Sequence, residues 1–137
     1  MKWILSFILT ISPFFTVKSG SIEITVTNID VKVSGTVNIA LYNEKYFLKD
    51  GKEFVGIKIL GKTATLNHTF KNIPRGIYAV SLYHDQNSDG KLNTNFFGVP
   101  NEPYAFSKNK KGTMGPPDFK DVSFQVDKGK TTLSIKI

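Results

Sequence analysis

Apolar side chains return at every second position in four separate stretches of this chain, and that period limits what it can fold into. Ile22, Ile24 and Val26 alternate with Glu23, Thr25 and Thr27. Val37, Ile39 and Leu41 alternate with Thr36, Asn38 and Ala40. Val122, Phe124 and Val126 alternate with Ser123 and Gln125, and Leu133, Ile135 and Ile137 with Ser134 and Lys136. Successive side chains of a strand point to opposite faces, so each stretch offers one face to a core and the other to water. Several short strands of this kind predict an all-β, antiparallel β-sandwich of about seven strands. Helix is expected only as a single turn near Asn43–Lys49, with Phe47 tucked inward.

The stretch Gly76–His84 breaks the pattern in an informative way. Tyr78, Val80, Leu82 and His84 share one face; Ile77, Ala79, Ser81 and Tyr83 share the other, in line with Asp85. Two apolar faces predict a central strand. The lead-in, Phe70-Lys71-Asn72-Ile73-Pro74-Arg75-Gly76, predicts a buried Ile73, a turn at Pro74, and at Gly76 a backbone that glycine alone tolerates. This Phe-x-x-Ile-Pro-x-Gly-x-Tyr run resembles a signature of transthyretin-like and carboxypeptidase-regulatory-like sandwiches. It speaks to fold and not to catalysis.

From Gln86 to Asp118 the alternation stops. The stretch is rich in Asn, Gly and Pro and holds Phe96, Phe97, Tyr104 and Phe106. A connection this long is usually functional or disordered, and its aromatics argue against disorder. It is expected to be one long irregular but ordered loop, folded over an end of the sandwich.

The first residues read as an export signal. Lys2 precedes an apolar run, Trp3–Phe15, interrupted at Pro13 and too short for a spanning helix. Val17 and Ser19 suit a cleavage site, so residues 1–19 are expected to be a signal peptide and 20–137 a single domain, with an uncleaved anchor as the alternative. No transmembrane segment is expected in the mature chain. The chain has no cysteine, which excludes disulfides, thiolate metal sites and a lipid-modified leader. The net charge is +7, but the lysines are scattered and no nucleic-acid motif accompanies them, so nucleic acid is excluded as a partner.

One segment proposes definite chemistry. In Asp85-Gln86-Asn87-Ser88-Asp89-Gly90-Lys91-Leu92-Asn93, oxygen-bearing side chains recur at every second position and a glycine follows the third. Calcium takes six to eight hard oxygens, and one short loop supplies most of them in this pattern. Asp85, Asn87 and Asp89 would offer side-chain oxygens, Lys91 its carbonyl, and Asn93 a side chain or a bridged water. An EF-hand has a bidentate acid at its twelfth position, but Phe96 stands there. The closing ligand would come from Glu102 or Asp118, and binding would be weak, with a dissociation constant on the order of 0.1–1 mM. The alternative is a metal-free turn, since Asx side chains bond their own backbone.

Other readings of the residues are less specific. His84 and Asp85 are neighbours on a strand and face opposite ways, so they make no simple acid–base pair. His84 is expected to be hydrogen-bonded beneath the loop. His84, Phe96, Phe97, Glu102, Tyr104 and Phe106 form a candidate ligand-binding set for a glycan or a peptide; alternatively the rings are the loop's own small core.

The block from His84-Asp85-x-Asn87-x-Asp89-Gly90 through Phe96-Phe97-Gly98-Val99-Pro100 and Glu102-Pro103-Tyr104-Ala105-Phe106-Ser107 to Gly115-Pro116-Pro117-x-Phe119 resembles the exported bacterial family of unknown function DUF2141. The resemblance implies a secreted Ig-like or transthyretin-like sandwich and no known activity. The expected function is therefore an exported, monomeric, non-catalytic binding or accessory module of the bacterial envelope, periplasmic or extracellular. Its partner would be a glycan, a peptide or another envelope component, and structural Ca2+ its one candidate cofactor. The alternative is a small carbohydrate-active or hydrolytic enzyme using the 85–118 loop.

Overall fold

The computed structural model describes residues 18–137. The expected signal peptide therefore lies outside the described residues except for Lys18 and Ser19. Among the described residues eight strands form: β1 (Ser19–Thr27), β2 (Thr36–Tyr42), β3 (Val55–Leu60), β4 (Thr65–Pro74), β5 (Gly76–Asp85), β6 (Tyr104–Phe106), β7 (Phe124–Val126) and β8 (Gly129–Lys136). One sheet has the order β4-β1-β8. The other runs β3-β2-β5-β6, with β7 also on β5. The protein is thus the all-β sandwich that the alternation predicts.

The apolar positions of that alternation become the core. Ile22, Ile24, Val26, Val37, Leu41, Val80, Leu82, Val126 and Ile135 are wholly buried between the sheets. Strand β5 is central, as its two apolar faces predict: it pairs with β2 along one side and with β6 and β7 along the other. Ile73 is buried, and the Tyr78 hydroxyl donates to the Pro74 carbonyl at 3.0 Å, tying the strand back to the turn before it. The turn near Asn43 forms at Glu44–Tyr46, where the Asn43 side chain accepts from the Tyr46 N–H.

Several expectations need correction. The strand pairing is not antiparallel throughout, since β1 and β8 run parallel. The long irregular loop is interrupted: Tyr104–Phe106 form β6 on the edge of β5, because β5 leaves that edge unpaired over Ser81–Tyr83 until a returning segment fills it. Val122 does not continue the β7 alternation but ends a helical turn, α1 (Phe119–Val122). Its side chain is buried all the same, in a second cluster with Ala79 and Phe106 on the outer face of the β3-β2-β5 sheet. Gly76 has no left-handed backbone. Its place is close-packed, since a Cβ there would crowd the Tyr78 ring at 3.1 Å.

The register places one end of the sandwich. Thr27 lies opposite Thr65 and Lys136, and Thr36 opposite Leu60 and Asp85. The connections 28–35, 61–64 and 86–103 leave from this end.

Candidate functional site

The site begins where β5 ends. Asp85 is nearly fully buried at the strand terminus. One of its oxygens accepts the Gly90 N–H at 2.8 Å and the other the Asp89 N–H at 3.2 Å. This closes residues 85–90 into a tight loop, for which Ser88 and Gly90 adopt left-handed backbone with φ of 59° and 80°. Around it the expected ligand residues do converge. The Asn87 amide donates to Asp89 Oδ2 at 3.3 Å and to Asn93 Oδ1 at 3.0 Å, and the Asn93 amide donates to Asp89 Oδ2 at 2.7 Å. Lys91 contributes its main-chain N–H, which donates to Asp89 Oδ1 at 2.9 Å.

Glu102 closes the loop from the far side. Its carboxylate is buried, accepting Gln86 N–H at 2.9 Å and Asn93 N–H at 3.0 Å, one through each oxygen. Asp118, the other closing acid considered, instead sits at the start of α1 and pairs weakly with Lys120 at 3.7 Å on the surface. Among the described residues, no three His, Cys, Asp or Glu side chains stand together as a metal site. A calcium ion would therefore rely on the Asn87 and Asn93 amides and on main-chain carbonyls. Here both amides present N–H to Asp89, where an ion would require their oxygens instead.

The hydrogen bonds around Asp89 stabilise its charged form. The Asn93 amide first, then the Lys91 N–H, hold its carboxyl below the usual aspartate range. A depressed folded pKa contributes stability that is present above the unfolded value, about 3.9, and is lost as the pH falls through the folded one. The Asn93 side-chain and Lys91 amide signals are thus expected to stay constant from neutrality down to about pH 4 and to move only below it. An NMR titration with a midpoint above the ordinary aspartate value would contradict this arrangement.

The candidate ligand-binding set does not stay together. Phe106 is buried, and Tyr104 packs with it, their rings 5.9 Å apart, on the second cluster. For these two the small-core reading applies. Phe96 and Phe97 do the opposite. They are 97% and 85% exposed, edge to face at 5.5 Å, at the tip of a small hairpin. The hairpin is well tied: Asn101 N–H donates to the Asn93 carbonyl and Asn95 N–H to that of Val99, while the Asn95 side chain accepts from Phe97 and Val99 N–H groups. Gly98, with φ of 78°, makes the turn.

His84 is not hydrogen-bonded as expected, and its ring lies against Gly61 of the 61–64 connection. The imidazole is wholly buried and neither ring nitrogen has a partner. The inner face of β5 delivers it opposite Val37 and against Gly61, where no polar side chain stands within bonding distance. Buried in this way, it offers no contact to an external ligand, which removes it from the binding set.

Two structural residues were not singled out from the sequence. Buried Ser107 accepts the Val80 N–H at 3.0 Å and donates to the Val122 carbonyl at 2.5 Å, joining β5 to α1. Asn38, on the polar face of β2, is buried at 7% exposure. Only its position in mid-strand, where an amide is costly to bury, could have drawn notice.

The sequence model of a bacterial family, described as "Uncharacterized protein conserved in bacteria (DUF2141)", matches residues 24–134. No curated protein matches the chain. Among solved structures the chain is similar to a pilus-presented adhesin (Cpa), at 17% identity and a TM-score of 0.31, over 87% of this chain and 27% of the adhesin's. The chain thus spans about a quarter of the adhesin's length. No described helix is long and apolar enough to cross a membrane.

Proposed function

The chain belongs to that uncharacterized bacterial family, and from this premise we propose that it is an exported, non-catalytic binding or accessory module of the envelope that meets its partner with the tip of the 86–103 loop. Residues 1–19 would be the export signal. The observation that carries the reading is the pair Phe96 and Phe97, almost wholly exposed on a hairpin tied by main-chain bonds and by the Asn95 side chain. Large rings normally bury themselves. Removing two from water on binding would contribute about 1.5–3 kcal/mol each, and a preformed hairpin loses little freedom when it docks. An apolar cleft in an envelope component suits this shape.

The Asp85–Asn93 ladder has a supporting role in this reading, as a structural calcium site formed by Asp85, Asn87, Asp89, Lys91 and Asn93 and closed by Glu102. Its convergence on one loop supports this. An acid–base enzyme is less well supported, since Asp85 and Glu102 are both engaged in accepting main-chain N–H groups.

The test compares the protein with its Phe96→Ser/Phe97→Ser variant in cosedimentation with isolated cell-envelope fragments. The variant should bind at least about tenfold more weakly with an unchanged melting temperature. Equal binding by both proteins would remove the tip as the contact. A fall in melting temperature would show that the rings pack in solution.

A further inference from the structure

Three connections meet at the end of the sandwich where β5 stops. Ile29 N–H donates to the Ala64 carbonyl and Gly61 N–H to the Gly35 carbonyl, which ties 28–35 to 61–64. Gly35 packs against the Asp85 main chain so closely that a Cβ would strike its carbonyl, so 28–35 also adjoins the start of the 86–103 loop. Each connection shows large apolar side chains to water. Val31 and Leu60, where β3 gives way to 61–64, are more than half exposed, as is Val99, beside the almost wholly exposed Phe96 and Phe97. These are five of the eight large apolar side chains that stand exposed among the described residues. Exposed apolar groups collected at one place mark contact with a protein or a membrane.

Lysines are set among them. Lys32 follows Val31 directly, and Lys62 stands two residues after Leu60. The Lys58 ammonium reaches within 3.6 Å of where a Cβ on Gly90 would stand, and Lys91 comes next in that loop. Lys111 lies over the Tyr104 ring at 5.2 Å, where the chain leaves the hairpin for β6. All five are exposed, and among the described residues none lies within ion-pairing distance of an acid. The acids of this end offset them only in part. Asp85 and Glu102 are buried and hold main-chain N–H groups. Asp30 and Asp89 are exposed, and each also accepts a main-chain N–H.

This mixture points to one kind of partner. A protein cleft that took up these apolar groups would also have to bury or oppose the lysines between them, and a buried ammonium without a partner is costly. A bilayer surface accepts both. Apolar side chains enter between the headgroups, while lysine stems lie along them and carry their charge to the phosphates. We propose that this end of the sandwich docks on an anionic lipid bilayer, with Phe96 and Phe97 inserted and the five lysines on headgroup phosphates. This rests on the reading that the 86–103 tip is the contact, and names lipid as what it meets; the space between headgroups serves as the apolar cleft.

The test is cosedimentation of residues 18–137, which hold every described strand, with vesicles of phosphatidylcholine alone or mixed equally with phosphatidylglycerol. Omitting the apolar run Trp3–Phe15 prevents it from inserting by itself. The mixed vesicles should bind the protein at least about tenfold more tightly than the neutral ones, as several lysines near an anionic surface require. Phe96→Ser/Phe97→Ser should weaken this binding at least about tenfold. Lys32→Gln/Lys62→Gln, away from the hairpin, should weaken it several-fold, as should raising the salt from about 0.1 to about 1 M. All four side chains are exposed, so loss of binding is not loss of fold. The chain's one tryptophan is Trp3, so in Phe97→Trp of this fragment the new indole is the sole reporter. Its emission should shift to the blue on the mixed vesicles and be quenched by bromine on the acyl chains. No binding to the mixed vesicles, binding that survives loss of both rings, or binding without the blue shift would each overturn the proposal. Phe-dependent binding to envelope fragments without binding to vesicles would leave the tip as the contact and make its partner a protein or glycan. Failure with both would remove the tip itself.

Discussion

Glu102→Ala is expected to destabilise the 86–103 loop by about 3 kcal/mol, the sum of two charge-assisted hydrogen bonds in a poorly hydrated site. The carboxylate holds Gln86 N–H, at the exit of β5, and Asn93 N–H, at the base of the hairpin. Removing it leaves two donors facing a cavity, and the hairpin loses its attachment to the strand end. The effect should be read locally. Amide exchange at Gln86 and Asn93 is expected to accelerate on the order of 100-fold. The core amides of β1 and β5 should change less, because residues 86–103 can open without separating the sheets. Glu102→Gln keeps the shape and one accepting oxygen, and should fall in between. Unchanged exchange at Gln86 and Asn93 in the alanine variant would show that the loop holds itself. Binding through Phe96 and Phe97 should weaken in parallel, since a hairpin that must be ordered on docking loses affinity.

What the sequence made legible follows from how far each interaction reaches along the chain. The period of two in β1 and β2 is a local property, and it identified the buried residues Ile22 to Leu41 correctly. Strand β6 was hidden because Tyr104–Phe106 is too short to show a period. It exists only because Ser81–Tyr83 of β5 offers an open edge. Val122 looked like strand because its spacing to Phe124 and Val126 is right, but a helical turn buries the same side chain by another route. In the site, the Asp85–Asn93 spacing announced a folded loop, since the Asp85, Asn87 and Asp89 side chains each accept a backbone N–H within a few residues. Whether Glu102 or Asp118 closed it depended on a contact across 16 residues, from Gln86 to Glu102, and no local pattern encodes that. The division of the four aromatics was equally out of reach. Phe106 is buried by β6 pairing, and Phe96 is exposed by the Asn95–Gly98 turn. Asn38 was read as an ordinary polar-face residue because its cross-strand neighbours, Lys58 and Tyr83, come from strands that the local alternation does not reveal.

Calcium at 10 mM is expected to raise the melting temperature of the metal-stripped protein by roughly 5–10 °C, given a dissociation constant of about 0.3 mM and a stabilisation of about 2 kcal/mol. The physical reason lies in the hydrogen bonds of the loop. Asp89 Oδ2 already accepts from the amides of both Asn87 and Asn93, so partial positive charge sits where a cation would. Calcium would replace it with a full charge if both amides turn over. Magnesium should have little effect, because it demands tighter octahedral geometry and sheds water reluctantly. Asp89→Ala should abolish the calcium shift. Its effect on the ion-free protein should be small, since Asp89 is exposed and the β5 exit is held by Asp85 and Glu102. A melting temperature indifferent to calcium in both proteins would mean that the ladder is an Asx turn complete in itself. The rigidity of the Phe96–Phe97 tip would then rest on Glu102 and the hairpin bonds alone. A calcium shift that survives Asp89→Ala would place the ion elsewhere on the protein.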